Sequence, residues 1–521
     1  MMKMIKNSTY KILLLVTVLV AGVSSSCNKW LNIKPQDGLV NQDYWKTKEQ
    51  LAAAVTGCYA SMLDGAALPL TKYMFIWGEL RGDMVVAGTE PAAGTSTATL
   101  STLTRDELDM LHTDIVATNT LNNWDAFYEI INYCNNVIKY GPGVKTNDNT
   151  LTQAALNAYI GEARGLRGLM YFYLLRTFGE VPLKLEPTSS DADIQPLAKS
   201  TRAQVAAQII DDLKFAAANV LVSYGNIGDD KGRINQYTAY TILADVYLWT
   251  EDYQNCIDAC NKVIQSNNYQ LFPAGTLQAD WYNSVFFNGN SVEGIFELQF
   301  YAQKLNPFFN MFAATGREFK AADWVATGDL FGTDIVDATN KDIRGAGVSM
   351  SEGSGGITKY TQFATTATSY SHWFLYRYSD VLLMKAEALT WLTPGNVANA
   401  TAAIAIVDQV RLARHALSNV NGTTISDPDP NITLDVSNYI FNERAREFAY
   451  EGKRWFDILR NAKRNNYANI IILLNIVSSS APADKQQSVI NKYKDIRSHY
   501  LPIYSYEIQT NNLLVQNPFY Q

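Results

Sequence analysis

Apolar residues return every third or fourth position over most of this chain, which predicts helices that each bury one face. The pattern runs over 42–62, 124–140 and 151–178, the last two separated by the turn-forming run GPGVKTNDNT, so a helical hairpin is expected there. Residues 235–267 form the clearest unit: Ala239, Leu243, Ala244 and Tyr247 precede a short TED turn, and Tyr253, Ile257 and Ala259 follow it. Small and aromatic residues alternating across two helices of this length resemble a tetratricopeptide unit, and 380–390 with 397–417 resemble another. Neither keeps the full repeat consensus. The expected fold is therefore mainly α, a tetratricopeptide-like scaffold of stacked helix pairs rather than a regular array.

Two stretches break the helical period. Residues 89–123 contain no Phe, Trp or Tyr and include GTSTATLSTLT, which reads as a surface loop. Between 270 and 376 the opposite holds: twenty of 107 residues are Phe, Trp or Tyr, with Gly, Ser, Thr and Asn between them. That density predicts an inserted, loop-rich recognition lobe with short strands. In IFELQF, residues 295–300, the alternation places Phe296, Leu298 and Phe300 on the inner side of a half-buried strand. Trp281, Tyr282, Tyr301, Trp324 and Tyr360 sit instead among polar or turn residues and become the candidate ligand-facing rings.

The densest chemistry lies at 442–460, NERAREFAYEGKRWFDILR. Phe441, Ala445, Phe448 and Ala449 mark one apolar helix face, Gly452 ends that helix as a left-handed cap, and Trp455, Ile458 and Leu459 begin a second stripe. Glu443, Glu447 and Glu451 form a row at four-residue spacing beside Arg444, Arg446, Lys453, Arg454 and Arg460. Such a row can be an acid/base pair or a set of mutually paired charges that fixes helix packing; acids and guanidiniums beside bulky aromatics favour the second. The pattern E-R-x-x-E-F-x-x-E-G-x-R-W-F-D-[IL]-x-R resembles the signature of the SusD/RagB family. The same resemblance runs through EARGLRGLMYFYLLRTFGEVPL at 162–183, YRYSDVLLMKAEAL at 376–389, and LPIYSYEIQTNNLLVQNPFY from Leu501. The last departs from the family pattern at Tyr504, Asn512 and Phe519.

The resemblance implies a cell-surface lipoprotein that captures a nutrient, an oligosaccharide, for a TonB-dependent, SusC-like outer-membrane transporter. A peptide-binding member of the same family and a helical scaffold lipoprotein with no small ligand are the alternatives. The family also places ligand-facing residues near FIWGELRGD, which adds Trp77, Arg81 and Asp83 to the candidates, and carries ligand-stacking aromatics near the position of Trp324.

The N-terminus agrees with export. Lys3, Lys6 and Lys11 precede an apolar run over 12–23, too short to span a bilayer, then three serines and Cys27. Cys27 is the expected lipidation site and anchor to the outer membrane. Ser24 stands where Leu is more usual, and Asn28 and Lys29 supply no acidic cluster, so surface display follows from the resemblance alone. The expected organisation is signal peptide 1–26, N-terminal scaffold 27–269, inserted lobe 270–376 and C-terminal scaffold 377–521.

Composition narrows the chemistry. A length of 521 residues suggests more than one lobe, and a net charge of −7 argues against nucleic acid as partner. Charged residues make up 18% and aromatics 12%, so recognition is expected to rest on rings and amides more than on charge. A sugar offers an apolar C–H face and a rim of hydroxyls, which Trp or Tyr with Asn, Asp, Arg or Gln can match. Cys58, Cys134, Cys256 and Cys260 follow no disulfide spacing, and Cys256 with Cys260 read as buried thiols rather than half a metal site. His112, His372, His415 and His499 are scattered, and no G-x-S-x-G, H-E-x-x-H, P-loop or dinucleotide motif occurs. No enzymatic activity, metal or cofactor is expected.

Overall fold

The computed structural model describes residues 44–63, 69–88, 103–189, 193–313, 316–328, 330–334, 336–337, 339–361, 364–420, 423–424 and 426–521. The signal segment, Cys27 and residues 89–102 lie outside the described residues; the rest of the 89–123 stretch expected as a surface loop is not one throughout, since 105–111 form a helix with Leu108, Met110 and Leu111 buried. In chain order come α1 (Lys48–Leu63), α2 (Leu70–Glu79), β1 (Val85–Ala87), α3 (Arg105–Leu111), α4 (Asp125–Asn147), α5 (Gln153–Phe178), α6 (Arg202–Asn219) and α7 (Ile227–Gly232). Next are α8 (Gln236–Trp249), α9 (Tyr253–Ile264), α10 (Gln278–Tyr282), β2 (Gly294–Leu298), β3 (Phe319–Ala321), α11 (Asp323–Ala326), β4 (Trp373–Arg377), α12 (Tyr378–Leu392) and α13 (Val397–Ala413). A small hairpin, β5 (Asn419–Val420) and β6 (Thr423–Thr424), leads to α14 (Thr433–Glu447), α15 (Arg454–Tyr467), α16 (Ile470–Ser480), α17 (Gln486–Tyr493) and α18 (Ser505–Thr510). The chain is mainly helical, as the periodicity predicts.

Side-chain caps set where the scaffold helices begin. Thr152, Asn235, Asp252 and Asn396 each accept a backbone N–H of the first turn, and Thr201 forms a reciprocal capping box with Gln204. The helices then stack in sequence: α4 on α5, α5 on α6, α6 on α8, α8 on α9, α9 on α12, α12 on α13, with α14 closing against both of the last two. In α5 the run GEARGLRG explains one tight contact. A Cβ at Gly161 or Gly165 would lie 2.8 Å from a methyl of Val220 or Ile234, so glycine makes room for these branched side chains against the helix.

Helix α14 stops at Glu447 with Phe448 as its C-cap, so the cap expected at Gly452 falls beyond the helix end. Helix α4 departs from prediction in the other direction. Helix α4 does not stop at Tyr140 but runs through Gly141, Pro142 and Gly143 to Asn147. Val144 is fully buried and Gly141 rests against Leu156 and Leu51, so packing outweighs the helix-breaking composition. The turn falls instead at Asp148, whose carboxylate accepts both the N–H and the hydroxyl of Thr150.

Because α9 packs directly on α12, the residues between them leave the helix stack and return to it. Antiparallel pairing of β2 with β4, Gly294 opposite Arg377 and Leu298 opposite Trp373, joins the two ends of that excursion. A second pair, β1 with β3, ties it back to the N-terminal part through Val85 opposite Ala321. Strand β2 is buried on both faces, not one: Glu297 is enclosed as fully as Phe296 and Leu298. Most aromatics of this segment fill its own interior, where Phe308, Tyr360 and Trp373 lie 4.9–5.3 Å apart in tilted contacts.

Candidate ligand-binding site

The signature at 442–460 folds as the end of α14, a turn through Gly452 and the start of α15, and its charges are enclosed. Glu447 receives Arg377 Nη1 at 2.7 Å, Arg414 at 3.0 and 3.1 Å, and Arg344 at 3.1 Å. Glu443 is held by Arg344, Arg411 and Arg446, and Glu451 by Arg377 and Lys359. Burial pushes the Glu447 carboxyl upward, yet Arg414, Arg377 and Arg344 together hold it well below the usual carboxylate range. At Glu387, burial is likewise overcome, by Arg460 and Arg464, and the group titrates at about 2. These carboxylates are bonded on all sides and have no solvent path to a substrate, so the row is a packing device. Gly452 adopts φ 70°, and its N–H donates to Glu79 in α2 at 2.9 Å. Through that bond the turn is fastened to the N-terminal half.

The structure corrects several of the sequence candidates. Trp77 is fully buried, stacked on Phe127 at 4.6 Å with its indole N–H on the Leu121 carbonyl. Trp281 is also 0% exposed, beneath the Arg414 guanidinium at 4.6 Å. Tyr282 and Tyr360 are enclosed in the lobe interior, and Arg81 is buried over Trp455 at 4.2 Å, donating to the His499 carbonyl. None of these five presents a face to a ligand; beside Trp281 and Tyr282, Asp280 stays exposed while the rings turn inward, so polar neighbours do not mark an exposed ring. Asp83 does form an ion pair, but with Arg454 of the signature at 2.7 and 2.8 Å, not with Arg81. Trp324, half-buried on α11, donates its indole N–H to the Asp83 carbonyl at 2.6 Å. Trp324 and Asp83 thus meet, as parts of one junction beside β1 and β3.

Tyr301 behaves differently. Its ring is 48% exposed, and it lines a cleft of about 290 Å³ with Thr56, Tyr59, Leu63, Asp229, Arg233, Glu297 and Gln299, among others. A tight turn holds Tyr301 there, its backbone exchanging hydrogen bonds with Lys304 at 3.1 and 2.8 Å. Gln299 Nε2 donates to the Gly228 carbonyl and to Asn290 Oδ1, which leaves its Oε1 as an acceptor. Arg233 binds Glu162 at 2.9 and 2.8 Å and lies over Tyr224 at 4.2 Å, with Nη1 left over among the described residues. Glu297 forms the inner wall, its Oε2 bonded to the Asn290 N–H and to His372 Nδ1 at 2.8 Å. Gly289 and Gly294 make room for this pair, since a Cβ at either would fall 2.3 Å from His372 or 1.9 Å from Glu297.

The cleft brings a half-exposed ring together with a guanidinium, an amide and a carboxylate, the group types that bind a polyhydroxylated ring. Sequence reasoning missed Tyr59, Asp229, Arg233 and Gln299. Gln299 stands two residues before Tyr301 and shared its signal; Arg233 and Tyr59 reach the site from α7 and α1 with no local cue. Cys256 and Cys260 are buried thiols on α9, as expected. Among the described residues no cluster of three His, Cys, Asp or Glu side chains could hold a metal, and no helix is long and apolar enough to cross a membrane.

The chain as a whole is similar to known proteins. A model described as the SusD family matches residues 336–520, and one described as starch-binding associating with outer membrane matches 70–248. SusD-like protein P38 of Formosa agariphila is 27% identical over 89% of this chain and 93% of its own. SusD-like protein P2 of the same organism is 25% identical over 98% and 99%. Among solved structures, a SusD superfamily protein from Bacteroides vulgatus superposes with a TM-score of 0.67 at 21% identity, covering 91% of this chain and all of that one. A laminarin-binding SusD-like protein gives 0.66 at 20% identity, covering 91% and 99%.

Proposed function

We propose that this chain, which belongs to the SusD family, captures an oligosaccharide in the Tyr301 cleft and delivers it to a TonB-dependent, SusC-like transporter. The observation that carries the reading is the half-exposed Tyr301 ring, alone among the sequence candidates in combining that exposure with a cleft lined by hydrogen-bonding groups. A pyranose laid on the ring would place its hydroxyls toward Arg233 Nη1, Gln299 Oε1 and Asp229. Trp324 and Asp83, at the β1–β3 junction, do not line this cleft. Residues 270–376 act as the recognition lobe on a helical scaffold, and acylated Cys27 holds the protein at the outer membrane. The starch-binding description of the matched model and the laminarin-binding neighbour support a glycan ligand. No chemical step is required: binding and release suffice.

Calorimetric titration with oligosaccharides and, in parallel, short peptides tests this. Tyr301→Ala is expected to weaken glycan binding by about 10- to 100-fold, the loss of ~1.4–2.7 kcal/mol of ring contact and orientation. Heat with peptides alone would transfer the function to peptide uptake. Copurification of a transporter with silence toward both ligands would leave the scaffold reading.

A further inference from the structure

The charges around the Tyr301 cleft narrow the ligand further. We infer that the cleft selects uncharged saccharides and turns away uronic-acid and sulfated glycans, an inference that rests on the cleft being the ligand site. Three charged residues line it, Asp229, Arg233 and Glu297, and Glu162 lies behind Arg233 as its partner. Arg233 is neutralised in a bidentate pair with Glu162, a carboxylate that is 1% exposed and also accepts the Tyr59 hydroxyl at 2.8 Å. A guanidinium so engaged still donates a hydrogen bond through Nη1 but offers little net charge to an anion. Glu297 is enclosed and engaged by His372 and Asn290.

The nearby lysines do not change the balance. Lys231 is buried behind the wall, donating Nζ to the Gly294 carbonyl and lying over Tyr269 at 4.2 Å; burial lowers it to about 8. Lys304, across the turn from Tyr301, has its own partner. Asp229 by contrast forms no ion pair among the described residues, its carboxylate accepting only the Asn226 amide at 2.6 Å. The cleft therefore holds a ring, neutral donors and acceptors, and one uncompensated negative charge. A glycan carboxylate or sulfate would lose water there without gaining a free cation. Hydroxyl-only sugars meet no such penalty.

The test is titration of the full chain with laminarin oligosaccharides, malto-oligosaccharides, oligogalacturonate and sulfated heparin fragments, at low and high salt. Binding is expected from a neutral glucan, with Kd changing less than about twofold between 20 and 300 mM salt. Asp229→Lys, which loses the carboxylate bond to the Asn226 amide but keeps the backbone N–H donated to Asn226 Oδ1, is expected to raise affinity for oligogalacturonate at least tenfold in the low-salt arm. Wild-type binding of an acidic glycan that weakens with salt and is lost in Tyr301→Ala would overturn the charge inference while keeping the site. Binding of any glycan that Tyr301→Ala leaves intact would overturn the site itself. Asp229→Lys with no gain for anions would remove Asp229 as the discriminating group.

Discussion

Two regions of this molecule are built from the same side chains and do opposite things. At the α14–α15 turn, Glu447 meets Arg344, Arg377 and Arg414 with every partner enclosed. At the Tyr301 cleft, Glu162 meets Arg233 and Tyr59, Arg233 lies over Tyr224, and the arginine edge and the Tyr301 ring stay open. Burial decides which is a fastening and which can bind. Inside, a charge must be matched on all sides because removing it from water costs several kcal/mol; at a cleft wall, an incompletely used donor remains hydrated and available.

The strongest way to break this comparison is to remove one member of the enclosed set. Glu447→Ala would leave three buried guanidiniums short of a carboxylate and is expected to cost ~3–5 kcal/mol, read as a lower denaturation midpoint or loss of folded protein. A change of similar charge at the cleft, Asp229→Asn, should be almost silent in the same measurement.

Acid separates the regions next. Glu387, Glu443, Glu447, Glu451 and Asp457 all lie below their usual values in the folded state, where opposing arginines overcome the upward push of burial. Depressed carboxyls contribute stability above their unfolded values, near 4, and lose it as pH falls through the folded ones. Unfolding is therefore expected to become steep below pH 4. Glu79 runs the other way: burial raises it to about 8 against the Lys453 and Gly452 amides. Protonated in the fold while the unfolded chain is ionised, it costs stability as pH climbs from the ordinary glutamate value of 4.5 toward 8. Glu79→Gln should flatten that decline, measured by denaturant melts across pH 5–8.

A smaller effect is expected at Gly452. With φ 70° and a substituted Cβ only 2.9 Å from the Met74 carbonyl and 3.0 Å from Trp373, Gly452→Ala should cost ~1–3 kcal/mol and shift the thermal midpoint downward. Smallest of all, Tyr301→Ala should change stability by no more than ~0.5 kcal/mol while abolishing most ligand heat. A large stability loss there would mean that the ring is part of the core and would dissolve the contrast between the regions.

Local order was legible in the amino-acid sequence because it is written at the period of the helix itself. The spacing of apolar residues located the scaffold hairpins, which needs only neighbours a few positions away; the acid row was legible as a packing device, but its partners Arg344, Arg377 and Arg414 were not, and α14 ends at Glu447 with Phe448 as its C-cap rather than at Gly452. Helices α3 and α4 are exceptions: α3 forms inside a stretch composed for a loop, and burial of Val144 carried α4 past a run composed for a turn. Exposure of individual rings was not legible. Tyr301 and Tyr360 both stand among polar neighbours in sequence, yet one is 48% exposed and the other 0%, covered by Phe308 and Trp373. Nor could the sequence announce that Arg233 would meet a glutamate 71 positions away, or that Asp83 would pair with Arg454 across 371. Periodicity is a property of consecutive residues, whereas exposure and charge compensation depend on which distant surfaces come to rest against one another; only the tertiary structure decides that.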